Sequence, residues 1–211
     1  DDAIKSLGVT TMFGSPALLN TFSRWTESTA ATYPAFKRVI SAGAPVPAKV
    51  MQRLRKSLPE TVQIVTPYGA TECLPVTSIE SREVLTDTAS QSAKGRGVCV
   101  GRVAQGAQVR IIQITDSPLE DIGQMHAVES GVIGEICVHS PAVTESYFGR
   151  DHATALAKVD DLEGARACDH LRVGAEVDHR AQALAAIRPL LIDTLHECQN
   201  RGGGLENHDF P

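Results

Sequence analysis

Three short runs of apolar and β-branched residues alternate with two longer amphipathic segments at the start of this chain. The runs lie at residues 9–13, 38–41 and 62–65, and the amphipathic segments lie at residues 14–25 and 46–58. Strands separated by helices of this length are typical of a parallel sheet with helices packed against its faces. The sequence therefore predicts an α/β fold in which residues 9–13 form a buried strand.

Both predicted helices carry local signals of where they begin or which face they bury. Ser15 is a typical N-cap residue, and Pro16 suits the first helical position because the N–H it lacks has no helical partner there. In the second helix, apolar residues recur at helical spacing, at Val46, Val50, Leu54 and Leu58. We expect these residues to pack against the sheet.

The pattern changes after about residue 95. Residues 97–103, 108–114 and 134–140 are short β-rich runs that are separated by glycine-containing turns and have no helix between them. Consecutive strands without intervening helices favour antiparallel pairing, as in a small barrel or a sandwich. A second, antiparallel unit is therefore expected here.

The remaining segments complete the predicted organisation. Residues 115–131 are long and acidic and are expected to form a surface loop, whereas a helix is expected from Arg150. The chain is accordingly divided into an α/β part at residues 1–94, a β-rich part at residues 95–158 and a tail at residues 159–211.

Charge and hydropathy exclude two classes of function. The net charge of -5 gives no basic surface for nucleic acid. No apolar run approaches the 18 or so residues that a membrane-spanning helix needs, and no signal-peptide pattern is visible at the start. The sequence contains 5 cysteines without a C-x-x-C pair, which favours free thiols in a reducing cytoplasm.

The segment "TPYGATE" carries an unusual combination of chemical groups directly after the third predicted strand. Tyr68 can stack on a purine ring, and Gly69 permits close approach of the backbone to a ligand. The Thr71 hydroxyl can donate to a phosphate oxygen, and Glu72 offers hard oxygen to Mg²⁺. Ligands of open α/β sheets bind beyond the carboxyl ends of the strands, where this segment is expected to lie as a loop. The alternative is a strand-end aromatic followed by a solvated carboxylate.

Four segments in this order resemble the motifs of the adenylate-forming superfamily, which includes acyl-CoA synthetases, fatty-acyl-AMP ligases and peptide-synthetase adenylation domains. "YGATE" at residues 68–72 is similar to "Y-G-x-T-E", and "AGAP" at residues 42–45 is similar to "G-G-A-P". Residues 97–112 resemble a glycine-rich segment of the family, without its usual proline. Residues 134–154 resemble "G-E-I-x-x-x-G-x-x-x-x-G-Y-x-x-x-x-x-x-T", with Ser146 where glycine is frequent. Within the superfamily the chain looks most like the β-lactone synthetases of bacterial long-chain olefin biosynthesis.

The resemblance implies part of the large N-terminal domain of these enzymes and an ATP- and Mg²⁺-dependent reaction. A carboxylic acid, expected to be long-chain or β-hydroxylated, attacks the α-phosphate of ATP, and a thiol or the substrate's own hydroxyl captures the acyl-adenylate. By this resemblance Tyr68 stacks on adenine, Thr71 contacts phosphate and Glu72 binds Mg²⁺, so that Thr71 and Glu72 are the candidate catalytic residues. The other candidate nucleotide-binding residues are Gly43, Ala44, Pro45, Gly69 and Ala70.

The sequence departs from the family pattern after about residue 158. The family's phosphate-holding loop and mobile C-terminal domain are not visible, and Ala175 stands where a ribose-binding aspartate is expected. The tail has helical spacing at residues 178–198, interrupted by Pro189, and does not resemble the family. We therefore expect part of a ligase that is inactive on its own. The alternative is a remnant that at most binds adenine nucleotide or a partner protein.

Overall fold

A computed structural model describes residues 1–159 and 170–173 of the chain. The helices are α1 (Asp2–Ser6), α2 (Pro16–Thr29), α3 (Ala48–Ser57), α4 (Ser81–Glu83), α5 (Ala89–Ala93) and α6 (Asp151–Ala157). The strands are β1 (Thr11–Phe13), β2 (Arg38–Ile40), β3 (Gln63–Ala70), β4 (Cys73–Glu80), β5 (Arg102–Val103), β6 (Gln108–Ile112), β7 (Glu135–His139), β8 (Lys158–Val159) and β9 (His170–Val173). A π-helical turn at Val84–Thr88 joins α4 to α5, and a 3-10 turn lies at Ile122–Gln124. The helix proposed at residues 178–198 and Ala175 lie outside the described residues.

The first sheet has five strands in the order β1-β2-β3-β4-β5. Strands β1, β2 and β3 are parallel, with Val39 between Met12 and Ile64 in register, and α2 and α3 form the connections. Strands β4 and β5 are antiparallel to their neighbours. The predicted α/β fold is therefore confirmed, with an antiparallel extension at one side of the parallel strands.

Helix α2 begins as its sequence predicts. Ser15 is the N-cap, its hydroxyl accepts a hydrogen bond from the Leu18 N–H at 3.3 Å, and Pro16 occupies the first helical position. The helix ends at Ala30, whose φ of 51° is left-handed. Because these signals act within one or two helical turns, the start of the helix can be predicted without knowledge of the tertiary structure.

The main core lies between the helices and the parallel strands. Leu19 of α2, Leu54 of α3 and Val39 of β2 are fully buried. Each such burial contributes about 2 kcal/mol of transfer free energy. An aromatic group closes one end of this core, with the rings of Tyr33 and Phe36 stacked at a centroid distance of 5.2 Å. This core fixes α3 and β2 and thereby the loop that joins them.

The prediction that residues 9–13 form a buried strand is wrong about burial. The strand forms at Thr11–Phe13, but Phe13 is 66% exposed and Thr11 is also exposed. Strand β1 lies at the edge of the described sheet and has only β2 as a neighbour. One side of an edge strand has no neighbouring strand to cover it, and apolar composition alone does not show that a strand lies at the edge.

The second sheet is antiparallel and has the strand order β6-β7-β9-β8. Of the three β-rich runs predicted after residue 95, the second and third form β6 and β7, and Ile111 pairs with Ile136 in register. The first run contributes β5, which pairs with β4 in the first sheet. How the chain divides into domains stays a prediction.

The acidic segment at residues 115–131 is not only the surface loop that its composition predicts. Ile122 and Met125 are buried in a small cluster with Ile112 and Cys137. Backbone hydrogen bonds tie the segment to β6, including one of 3.0 Å from the Val128 N–H to the Ile111 carbonyl. Apolar residues spaced among the acidic ones therefore anchor this segment to the second sheet.

The expectation that every cysteine is a free thiol is wrong at Cys99, which forms a disulfide. Cys73 and Cys137 are buried thiols. Disulfide pairing depends on the distance between two Cα atoms in the fold, and sequence spacing does not give that distance. No helix among the described residues is long and apolar enough to cross a membrane.

Candidate functional site

The segment predicted to bind nucleotide lies at the tip of a β-hairpin. The parallel pairing of β2 with β3 ends at Ile40 and Val65. Beyond this point β3 extends past β2 and, among the described strands, pairs only with β4. Tyr68 pairs with Thr77. The expectation that Tyr68 to Glu72 form one loop is therefore wrong for Tyr68 to Ala70, because antiparallel pairing with β4 keeps the chain extended as far as Ala70.

The turn of this hairpin presents Thr71 and Glu72. Ala70 pairs with Cys73 across the turn, which leaves these two residues as the connection between the strands. Thr71 is exposed and Glu72 is half-buried. The hairpin thus carries a hydroxyl and a carboxylate beyond the carboxyl end of β2, at the edge where ligands bind in open α/β sheets.

Gly69 is required by the hairpin itself. The register of β3 against β4 shifts between Tyr68 and Ala70, so that a bulge lies at this glycine. An added Cβ would overlap the carbonyl oxygen of Cys73 and approach the Leu74 Cδ1 atom to 2.9 Å. The motif predicts that a ligand approaches this glycine closely, whereas in the structure the neighbouring strand does so.

Tyr68 lies beside the second hydrophobic core. It is half-buried and packs against a cluster that includes Cys73, Val76 and Ile136. Burial raises the pKa of the Tyr68 phenol to about 12, so the side chain is neutral throughout the physiological pH range. A neutral aromatic ring supported by a core on one side is a rigid platform for stacking.

Glu72 is held by two hydrogen bonds from the segment between β7 and α6. The Tyr147 hydroxyl donates to Glu72 Oε1 at 2.7 Å, and the Thr144 N–H donates to the Glu72 carbonyl oxygen at 2.8 Å. Within the described residues, Glu72 has no ion pair, and its Oε2 atom accepts no hydrogen bond from a protein donor. One carboxylate oxygen is therefore fixed and the other remains available.

Tyr147 is in turn fixed by α6. The Thr154 hydroxyl accepts a hydrogen bond from the Tyr147 N–H at 3.0 Å and donates to the Arg150 carbonyl at 3.1 Å. Tyr147 and Thr154 match the pattern "Y-x-x-x-x-x-x-T", but no role was predicted for either residue. Their fixed spacing was the only sequence feature that could have marked them as functional. The contact between Tyr147 and Glu72 could not be predicted, because the two residues are 75 positions apart.

The loop predicted to lie beside adenine follows β2 directly. Gly43, Ala44 and Pro45 are exposed, and Gly43 has a φ of 91°, which a residue with a Cβ adopts only with strain. The Ser41 N–H donates to the Val65 carbonyl at 3.1 Å and ties the start of this loop to β3. The structure thus brings this loop and the hairpin to the same edge of the sheet.

Two buried hydroxyls at this edge were not predicted. Ser41 is 1% exposed, and its Oγ has no hydrogen-bond partner among the described residues. The Thr66 Oγ1 atom is likewise buried without a partner in that part of the chain. Thr66 and Tyr68 share one face of β3 by strand alternation. Buried polar groups are almost always paired, and an unpaired one costs about 1–3 kcal/mol, so both hydroxyls can accept a partner that the described residues do not supply.

The described residues fit Mg²⁺ only together with a ligand. They contain no group of three or more His, Cys, Asp or Glu side chains that could hold a metal ion. Mg²⁺ commonly binds through one or two protein carboxylates, several waters and the phosphates of a substrate. Glu72 would supply one carboxylate ligand through Oε2. The remaining ligands would be waters and the phosphates of a nucleotide.

Comparison with known proteins agrees with this geometry. The family model described as AMP-binding enzyme matches residues 1–148. The chain is similar to an olefin beta-lactone synthetase of Stenotrophomonas maltophilia, with 48% identity over 75% of the chain and 28% of the synthetase. Identity to an olefin beta-lactone synthetase of Xanthomonas campestris is 42% over the same shares of the two proteins. The chain therefore spans less than a third of the length of these two relatives.

Solved structures show the same fold. VinN superposes with a TM-score of 0.60 at 20% identity, over 82% of this chain and 38% of VinN. O-succinylbenzoate coenzyme A synthetase of Bacillus subtilis, solved in complex with AMP, superposes with a TM-score of 0.57 at 19% identity, over 82% of this chain and 29% of the synthetase. These superpositions show the fold, and the family match over residues 1–148 establishes that the chain belongs to the AMP-binding enzyme family.

Proposed function

We propose that this chain carries the adenine- and magnesium-binding part of a ligase that activates a long-chain carboxylic acid as an acyl-adenylate. The observation that carries the proposal is the pair of buried hydroxyls of Ser41 and Thr66, which have no hydrogen-bond partner among the described residues and lie beside the Tyr68–Glu72 hairpin. A nucleotide at this edge would give these hydroxyls the hydrogen bonds that the described residues do not supply. Family membership independently favours an adenine nucleotide as that ligand.

Each site residue has a distinct part in the proposed reaction. The ring of Tyr68 stacks on adenine, and the exposed backbone of Gly43, Ala44 and Pro45 flanks the base. The exposed Thr71 hydroxyl donates to a phosphate oxygen. Glu72 holds Mg²⁺, which would neutralise charge on the phosphates when the nucleotide is bound.

The chemistry requires a nucleophile and a leaving group but no covalent bond to the protein. A carboxylate oxygen of the acid forms a bond to the α-phosphorus of ATP, the bond from that phosphorus to the bridging oxygen breaks, and pyrophosphate leaves. The protein's contribution is to position the reactants and stabilise charge. Thr71 and Glu72 lie next to each other at the turn and suit that role at the phosphates.

The relatives support a β-hydroxy acid as the substrate. Olefin beta-lactone synthetase is the name of both bacterial relatives, and an acyl-CoA ligase of Aspergillus fumigatus is 31% identical over 59% of the chain. In the proposed second step the β-hydroxyl oxygen attacks the acyl carbonyl carbon, AMP leaves with the bond electrons, and the hydroxyl proton is released. The product is a β-lactone. Transfer to a thiol is the corresponding step in a thioester-forming ligase.

Exchange of labelled pyrophosphate into ATP tests the proposal, because exchange requires reversible formation of an acyl-adenylate. We expect exchange that depends on a long-chain 3-hydroxy acid and Mg²⁺, measured with the protein as its native host makes it. Saturable ATP binding without exchange would instead identify a nucleotide-binding remnant. Absence of both would contradict the proposal.

We also propose a cytoplasmic location, since the reaction consumes ATP. Because Cys99 forms a disulfide, the cysteines do not support the reducing compartment that the sequence predicts. The proposed location therefore rests on the proposed chemistry.

A further inference from the structure

We propose that Tyr147 is a positioning residue that aims the Glu72 carboxylate at the magnesium ion of the bound nucleotide. The inference rests on the proposed function, because it assigns a role within the same site. It concerns a residue that would touch neither the nucleotide nor the metal and would act only through Glu72.

The first argument is the geometry of the hydrogen bond. The Tyr147 hydroxyl lies 2.7 Å from Glu72 Oε1, a short distance typical of a hydroxyl that donates to a carboxylate. This bond occupies Oε1 and leaves Oε2 without a protein donor among the described residues. A carboxylate held in this way offers one defined oxygen to a cation.

The second argument is the location of Glu72. It lies in the turn of the β3–β4 hairpin, and the several rotatable bonds of its side chain need contacts to hold them in one conformation. The Thr144 N–H fixes its backbone at 2.8 Å, and Tyr147 fixes its side chain. Both contacts come from the segment that joins β7 to α6, so one structural unit orients the whole residue.

The third argument is that Tyr147 is itself immobilised. Its N–H donates to the Thr154 hydroxyl at 3.0 Å, and its ring packs against the second core cluster. Lys158 lies nearby, with Nζ 6.0 Å from the ring centroid and 3.2 Å from the Thr144 hydroxyl. A metal-binding carboxylate oriented by a fixed outer partner is a common arrangement in metalloproteins, and removal of such a partner typically weakens metal affinity by about 10- to 100-fold.

The test is Tyr147→Phe, which removes the hydroxyl and retains the ring. We expect the Mg²⁺ concentration for half-maximal enhancement of ATP binding to rise by about tenfold. ATP binding in the presence of EDTA should stay unchanged, and the thermal unfolding midpoint should fall by no more than a few degrees, as expected for the loss of one hydrogen bond. Tyr33→Phe is the matched control, because the Tyr33 hydroxyl bonds to Asp1 at 3.1 Å in the main core and should not affect Mg²⁺ dependence.

Glu72→Gln separates failure of this inference from failure of the proposed function. If Glu72→Gln weakens the Mg²⁺ dependence and Tyr147→Phe leaves it within about twofold of the wild type, the positioning role of Tyr147 is refuted and the metal site stands. If Glu72→Gln itself has no effect, the proposed metal site fails and the inference fails with it. In the Glu72→Gln background, Tyr147→Phe should add nothing, because the two residues act through one carboxylate.

Discussion

The Arg55 guanidinium and the Glu80 carboxylate form an ion pair that joins helix α3 to the end of strand β4, with Nη2 2.6 Å from Oε1. The Arg55 Nε donates to the Ser81 hydroxyl at 2.8 Å, and that hydroxyl donates to Glu80 Oε1 at 3.0 Å. The Ile64 N–H donates to the same oxygen at 3.4 Å, which connects β3 as well. This network anchors the base of the hairpin whose tip carries Tyr68 and Glu72.

Replacement of Glu80 by Gln is expected to destabilise the protein by about 1–3 kcal/mol at pH 7, because buried donors lose a charged acceptor. The matched control is Glu27→Gln. Glu27 pairs with Arg53 at 3.4 Å, but its side chain is 54% exposed, so we expect a loss of less than about 1 kcal/mol. Urea unfolding of both variants measures the difference, and equal losses would contradict the role of the network.

The same network predicts how stability depends on pH. Burial alone would raise the pKa of Glu80, but hydrogen bonds from the Arg82 N–H, Ser81 and the Ile64 N–H, together with the Arg55 charge, lower it overall. A lowered pKa in the folded state means that this stabilisation is complete above the unfolded-state pKa of about 4.3 and is lost as the pH falls through the folded-state pKa. The stability difference between wild type and Glu80→Gln should therefore shrink below about pH 4. A difference that stays constant from pH 7 to pH 3 would be inconsistent with this account.

Gly69→Ala is expected to reduce stability by about 1–3 kcal/mol, because the added methyl group overlaps the backbone of β4, which cannot move aside as a side chain can. Gly14→Ala is the matched control. Its Cβ would meet only side-chain atoms of Leu18, the nearest at 2.8 Å, and that flexible side chain is 49% exposed and can move aside. Urea unfolding should show a larger loss of stability for Gly69→Ala than for Gly14→Ala. The reverse result would show that the bulge tolerates a side chain.

Tyr68→Leu is expected to weaken ATP binding by about 5- to 150-fold, which corresponds to the loss of about 1–3 kcal/mol of stacking. Tyr68→Phe retains the ring and should bind ATP within about threefold of the wild type. Because burial raises the pKa of Tyr68 to about 12, its ionisation should contribute no pH dependence between about pH 6 and pH 9. Calorimetric titration checks each point, and equal losses in both variants would argue against stacking.

Ser41→Ala is expected to leave the free protein as stable as the wild type or about 1 kcal/mol more stable, since it removes a buried hydroxyl without a partner in the described part of the chain. ATP binding should weaken by about tenfold if that hydroxyl bonds to the nucleotide. Thermal unfolding with and without ATP measures both quantities. A variant that loses stability and keeps its ATP affinity would show that Ser41 has a structural role only.

The features that were predictable from the sequence are those that local chemistry determines. Ser15 and Pro16 specify the start of α2 within a single turn, and the alternation of apolar runs with amphipathic segments specifies the parallel strands. The motif at residues 68–72 was identified because it is contiguous and its side chains have distinct chemistry.

The features that were missed depend on contacts between distant segments. Phe13 is exposed because of the place of β1 at the sheet edge, and the hairpin extends to Ala70 because β4 pairs with it. The Tyr147–Glu72 hydrogen bond joins two motifs that are 75 residues apart. That Ser41 finds no hydrogen-bond partner in the described part of the chain depends on its surroundings in the fold, which no sequence pattern encodes.

The most direct test of the central claim is a crystal structure of the protein grown with ATP and Mg²⁺. The account predicts adenine against the Tyr68 ring, hydrogen bonds from the nucleotide to the hydroxyls of Ser41 and Thr66, and Mg²⁺ between Glu72 Oε2 and the phosphates. Nucleotide bound at another edge of the molecule, with Ser41 and Thr66 still unpartnered, would contradict it.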